Sequence, residues 1–379
     1  MTRLHRALDD IAAEAPLVDL AEAAIARHRR RRLVTASLSA VAVAAIVGAG
    51  GVVMTAPWQV NAVPAVPAVQ VSPGVEQAEV VPDLPDAPVG ALSHAYETRC
   101  EQPPCGDEEW RVVTADGATY RLPRALTRTT GKAHAPIAIS RNGRMLAYYS
   151  RDAQAHVVRD LETGAETVSP VKVPEKKIPL GAMLLVSDDG RYLAFDDPEE
   201  FDEYAGVLID MQAGEPAMLP RGFQPVAIKD GVLELVRHVK TDLWLMPVTG
   251  GGEPVRFDGT FISFSEVAPD GRTVVALEMH RPTKASPGAG DGTAVVKRKA
   301  PELTVLDAAT GEIVRKVPTP DVPGDPTATV WLSDTEVLVR DGAKGRRTYA
   351  LDITSGKARL LTDYGDLARL TLPGQAINR

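Results

Sequence analysis

Hydrophobic positions follow three different rules along the chain. In the first 32 residues they recur at helical spacing. Leu4, Leu8, Ile11 and Ala15 form one stripe, Pro16 interrupts, and Leu17, Leu20, Ala24 and His28 continue it. This pattern predicts two short amphipathic helices joined at Ala15–Pro16, each too short to fold alone. Leu33–Met54 then carries no charge at all. As a helix it is about 33 Å long, enough to cross a hydrocarbon core. Residues 55–90 show no periodicity, and proline recurs every few positions, as expected of an extended, semi-rigid spacer without a packed core. Beyond residue 90, apolar and polar residues alternate in short runs broken by glycine-containing turns, the pattern of antiparallel strands.

The alternating part repeats. Ser140-Arg-Asn-Gly-Arg-Met-Leu-Ala147, Ser187-Asp-Asp-Gly-Arg-Tyr-Leu-Ala194 and Ala268-Pro-Asp-Gly-Arg-Thr-Val-Val275 are copies of one turn followed by a strand. Lys229–Leu235 and Leu332–Val339 are weaker copies. A second motif trails the first: Asp160-Leu-Glu-Thr-Gly164, Asp210-Met-Gln-Ala-Gly214, Asp307-Ala-Ala-Thr-Gly311 and Asp352-Ile-Thr-Ser-Gly356, with Met246–Gly250 degenerate. Each unit therefore reads strand, turn, strand, variable loop, strand, Asp-x-x-x-Gly turn, strand. Four antiparallel strands every ~40–50 residues is the spacing of a propeller blade.

These units resemble the WD40-like (PD40) repeats of the TolB-type β-propeller, over about residues 90–373. The resemblance implies a propeller fold and, because such propellers bind many things, no particular ligand. The chain lacks the α/β domain that precedes the propeller in TolB, so TolB's partners are not carried over. The basic tail, Ala-rich anchor and Pro-rich spacer together resemble single-pass membrane proteins of actinobacteria. Five units are expected at 137–170, 183–220, 224–256, 261–318 and 326–362. A sixth blade is expected to combine strands at 91–97, 110–115 and 118–123 with one at Leu367–Pro373, which closes the ring and leaves no exposed edge. The expected fold class is thus mainly β: a six-bladed propeller outside the membrane, with a short helical N-terminal tail and one transmembrane helix. The domains read 1–32 tail, 33–54 span, 55–90 linker and 91–373 propeller.

Charge adds an orientation. Residues 1–32 carry a net charge of +2, which leaves −10 for the rest of the chain. The basic excess is the block Arg27, Arg29, Arg30, Arg31 and Arg32, directly against the apolar run. By the positive-inside rule this end stays cytoplasmic and the propeller lies outside the cell. A cleavable signal has a shorter apolar region and a shorter basic start, so the run is expected to stay as an anchor in the cell membrane. The tail is expected to lie on anionic lipid or to dock into a groove of a cytoplasmic protein such as a sigma factor. A net charge of −8 argues against nucleic acid as a partner.

Candidate chemistry is sparse. In a blade the first and third turns share one face, and the second loop and the link to the next blade share the other. The first and third turns are short here, and the others are long and irregular, so the long-loop face is the expected binding side for a protein or cell-wall ligand. It includes the acidic stretch Asp196–Gly206, with Asp196, Asp197, Glu199, Glu200, Asp202 and Glu203, the basic stretch His280–Pro301, and links at Ser169–Gly181 and Pro318–Pro326. Cys100 and Cys105 are the only cysteines and are expected to form a disulfide outside the cytoplasm. No G-x-S-x-G, H-E-x-x-H or complete metal-ligand spacing occurs, so no cofactor, metal or catalytic set is expected. His94, His134, His156, His238 and His280 are scattered and read as structural. The reading is a membrane-anchored binding, sensor or scaffold module. The alternative is an extracytoplasmic glycan-active enzyme with carboxylates meeting in the propeller channel.

Overall fold

A computed structural model describes residues 81–99, 108–131, 133–178, 181–197, 205–238, 240–279, 301–342 and 345–375. The tail, the apolar run, Cys100, Cys105 and the stretches 198–204 and 280–300 lie outside the described residues. Among the described residues no helix is long and apolar enough to cross a membrane, and one 3-10 turn, Glu175–Lys177, is the only helical element.

Strands follow in chain order. β1 (Leu92–Glu97), β2 (Trp110–Thr114) and β3 (Thr119–Arg121) come first. Then come β4 (Ile137–Ile139), β5 (Met145–Ser150), β6 (Ala155–Asp160) and β7 (Glu166–Lys172), and β8 (Leu184–Val186), β9 (Tyr192–Asp197), β10 (Ala205–Asp210) and β11 (Glu215–Met218). β12 (Gln224–Lys229), β13 (Val232–Arg237), β14 (Asp242–Pro247) and β15 (Val255–Arg256) follow, then β16 (Phe261–Ile262), β17 (Thr273–Glu278), β18 (Glu302–Asp307) and β19 (Ile313–Pro318). The last are β20 (Thr327–Trp331), β21 (Glu336–Arg340), β22 (Arg347–Asp352), β23 (Ala358–Asp363) and β24 (Ala368–Thr371). They form six four-stranded sheets, five of consecutive strands and one in the order β24-β1-β2-β3. The fold is a six-bladed β-propeller, and its first blade is closed by the last strand, as the alternation pattern predicts.

Middle strands are apolar on both faces because each blade is packed between two others. Every residue of β5 is buried. Met145, Ala147 and Tyr149 face the third blade, and Leu146 and Tyr148 face the first. Five apolar clusters fill the joints between successive blades from the first to the sixth. Among the described residues no such cluster fills the joint between the sixth blade and the first. That seam carries polar contacts: Arg340 Nη1 donates to Gln375 Oε1 at 2.8 Å, and the rings of His94 and Tyr364 meet edge-on at 5.0 Å.

Three boundaries differ from the sequence reading. The expected spacer gives way to propeller contacts before residue 90. Leu84 is buried, its N–H donates to Arg121 O at 2.8 Å, and Val89 N–H donates to Leu161 O at 2.9 Å. Backbone groups at the open edge of β3 are satisfied this way, which a periodicity argument cannot see. β7 runs on to Lys172, because a bulge after Ala155 lets the ladder continue past Ser169. Asp196 and Asp197 are not loop residues: they end β9, paired with Gly206 and Ala205.

Candidate functional site on the long-loop face

The two repeated motifs bind each other. In the second blade Arg144 donates to both carboxylate oxygens of Asp160, at 3.2 and 2.8 Å. Arg191 reaches Asp210 at 3.0 and 2.7 Å, and Arg272 reaches Asp307 at 2.5 Å. The arginine of each first turn thus clamps the aspartate of the third turn on the same face. These aspartates also accept backbone N–H groups of their own turns, as Asp160 Oδ1 does from Glu162 N at 2.9 Å. Ion pairing and hydrogen bonds hold Asp160 and Asp210 below the usual carboxylate range. The turn serines are used as well: Ser140 Oγ accepts Met145 N–H at 2.8 Å and donates to Asn142 Oδ1 at 2.7 Å. Gly143 in that turn has φ 75°, and a Cβ there would lie 2.6 Å from Leu92 O of the first blade. The polar side chains of the short-turn motifs are spent on architecture.

The ring is also tied across its innermost turns. Arg141 Nε donates to Glu266 Oε1 at 2.7 Å, and its Nη2 donates to Trp331 O at 2.9 Å. Trp331 N–H donates to the same Glu266 oxygen at 3.0 Å. Next to Glu266, Glu234 accepts Val267 N–H at 2.9 Å while its other oxygen has no partner. Burial pushes Glu234 up to about 8. Both carboxylates are buried, so neither is open to a substrate. Among the described residues no three His, Cys, Asp or Glu are grouped to hold a metal.

On the opposite face, arginines gather around a buried acid in two places. Asp242 alone serves Arg237 and Arg256. Glu97, 3% exposed at the end of β1, lies between Arg128 and Arg369, at 3.8 and 3.6 Å, and pairs with His134 Nδ1 at 3.0 Å. Burial first, and then Glu108, raises Glu97 to about 7. Burial lowers His134 to about 4, with Arg369 and Arg128 adding to it. Glu108 holds Arg128 at 2.6 Å. Beside this cluster, an open cleft of about 380 Å³ on the sixth blade is lined by Asp341, Arg346, Arg347, Asp363 and Asp366.

No protein-family model and no curated protein sequence matches the chain. In fold it is similar to TolB from Acinetobacter baumannii. Identity there is 17%, covering 74% of this chain and 66% of that one, with a TM-score of 0.46. It therefore spans just under two thirds of the TolB chain. An oligogalacturonate lyase in complex with manganese is similar at 13% identity, covering 68% and 71%, with a TM-score of 0.42. A nidogen/laminin complex is similar at 12%, covering 74% and 98%, also at 0.42. At such identities the likeness is one of fold and assigns no ligand, metal or partner.

Of the residues singled out in the sequence, Asp196 and Asp197 are placed on a strand. Glu199, Glu200, Asp202, Glu203, Cys100, Cys105 and the arginine block lie outside the described residues. The cysteine loop leaves β1 and returns to β2 through a closed base, with Thr98 N–H donating to Glu109 O at 2.9 Å. Glu97, Arg128 and Arg369 were missed, because they lie on three separate segments and no local motif joins them. His134, read as structural, is one of their partners.

Proposed function

We propose that this protein is a membrane-anchored, extracytoplasmic β-propeller that acts as a binding, sensor or scaffold module and presents its long-loop face to a protein or cell-wall ligand. One observation carries the reading: the two faces use their polar groups differently. Arginine–aspartate clamps occupy the short-turn motifs, while the other face keeps partly exposed arginines that share buried acids. Glycan catalysis asks for carboxylates open to the channel, and the burial of Glu234 and Glu266 favours binding instead. The orientation rests on the arginine block from Arg27 to Arg32 beside Leu33–Met54. The tail of residues 1–32 would couple the module to the inner leaflet or to a cytoplasmic protein of sigma-factor type.

Site-specific photo-crosslinking in cells tests the face. A crosslinker at Arg128 or Arg347 is expected to give adducts, and one at Asp188 or Glu162 none; adducts from the short-turn positions alone would overturn the reading. A reporter active only in the cytoplasm, fused after Arg379, is expected to be silent. Thiol labelling of protein purified from the envelope without reductant is expected to find Cys100 and Cys105 oxidised. A peptide of residues 1–32 that captures a protein, and loses it on Leu8→Asp with Leu20→Asp, would place the tail in a protein groove rather than on lipid.

A further inference from the structure

The closing strand carries a feature that ring closure does not need. Ala368 of β24 pairs with Glu97 and Thr371 pairs with Ala95, so Arg369 and Leu370 together oppose Tyr96. This is a β-bulge, and Arg369 sits in it at φ 49°. A left-handed arginine is strained, and such strain persists only where the surroundings fix it, often at binding sites. The bulge turns the Arg369 guanidinium toward Glu97 Oε2, at 3.6 Å. Arg128 approaches Glu97 Oε1 from the link between the first two blades, at 3.8 Å. Neither contact is a hydrogen bond, and Oε1 of this buried carboxyl has no hydrogen-bond partner among the described residues. Arg369 donates no hydrogen bond to any described residue. Two guanidinium groups, partly open to solvent, thus flank one buried carboxyl, Arg369 beside Oε2, which His134 also holds, and Arg128 beside the unsatisfied Oε1.

The Arg369 guanidinium, with its donors unused among the described residues, matches a planar or tetrahedral oxyanion, and Arg128, whose Nε and Nη2 are taken by Glu108, adds a second positive charge and its remaining N–H groups. We propose that Arg128, Arg369 and Glu97 form an oxyanion-binding site that takes a carboxylate, phosphate or sulfate group of the ligand, with Glu97 protonated in the occupied state. This deepens the long-loop reading and rests on it. An ionised Glu97 would repel the anion, whereas its protonated form removes that charge and leaves the two arginines in excess over Glu108. The groups that face Glu97 are Glu108 ahead of β2, Arg128 and His134 on the link, and Arg369 on β24. His134 stays neutral near pH 7, since burial and the two arginines hold it at about 4. Binding therefore takes up a proton, and affinity falls roughly tenfold per pH unit above the Glu97 value of about 7.

Trp110 is the strand partner of Glu97 and reports on the site. The full chain is titrated with sodium acetate and, separately, sodium sulfate, and the Trp110 indole N–H resonance is followed by NMR. Both probes stay ionised from about pH 6 to about pH 8, so the protein alone supplies the proton. A saturable shift near pH 6, at least tenfold weaker near pH 8, is expected; acetate alone points to a carboxylate ligand, and sulfate alone to a phosphate or sulfate ester. Arg128→Gln and Arg369→Asn, the latter keeping a residue that tolerates the left-handed region, are each expected to weaken binding at least tenfold while melting cooperatively. Glu97→Gln is expected to bind without pH dependence. No saturable shift near pH 6, equal affinity in folded Arg369→Asn, or unchanged pH dependence in Glu97→Gln would overturn the proposal. Long-loop crosslinking that persists beside such a failure would leave the binding face standing without this site.

Discussion

At the scale of single residues, the repeated motifs are structural joints. Ser140 shows the logic: its hydroxyl satisfies the buried N–H of Met145 inside the turn. Ser140→Ala leaves that donor without a partner and is expected to cost about 1–3 kcal/mol in denaturant unfolding. Titration is decided by burial. Glu234 and Glu97 are held above the ordinary glutamate value, at about 8 and about 7. The unfolded chain releases these protons at lower pH than the native state does. Stability from them is therefore full below about pH 4.5 and is lost as pH rises through about 7 and 8. Burial holds His156 at about 3 and His94 at about 4, which acts the other way: stability is lost as pH falls below about 6.5. Glu234→Gln is expected to flatten the alkaline side of a melting-temperature profile and leave the acid side unchanged. An alkaline limb of the same steepness would show that another group sets it.

At the scale of elements, β24 has the most consequence for its length. Four residues complete the first blade, and a bulge interrupts even their register with β1. Truncation after Leu367 is expected to uncover the edge of β1 and to replace a monodisperse elution profile with aggregates. The segment 82–90 does similar work at the other edge of that blade. Asp83 bridges Arg121 in parallel, and Pro85 O and Asp86 both receive the buried Arg159. Arg159→Ala is expected to release this segment, read as faster hydrogen exchange at Leu84 and Val89.

At the scale of the whole molecule, five joints hold apolar clusters and, among the described residues, the sixth holds none. Apolar burial is worth roughly 25 cal/mol per Å², and the closing seam relies instead on Arg340, Gln375, His94 and Tyr364. Hydrogen exchange is expected to be fastest along β24 and the facing edge of β23, and slowest in β5, β9 and β13. Uniform protection around the ring would show that the polar seam is as strong as the others. A compliant seam beside the Glu97 cluster would let a ligand on the long-loop face alter ring closure.

The number of blades and the shared first blade were legible in the chain because they rest on local properties. Alternation with period two marks a strand, and Asn-Gly or Asp-Gly marks its turn, whatever surrounds them. The arginine of Asn-Gly-Arg and the aspartate of Asp-x-x-x-Gly were each visible too, but their pairing was not, since Arg144 and Asp160 meet only when β5 and β6 pair in register. The same holds more strongly for Glu97, Arg128 and Arg369. A buried charge depends on what covers it, and the cover comes from segments hundreds of residues apart. The arginine block beside the apolar run is a local property as well, and the orientation drawn from it is an expectation that the reporter fusion tests. Only the folded ring decides which carboxyl keeps its proton and which arginines are left to hold something else.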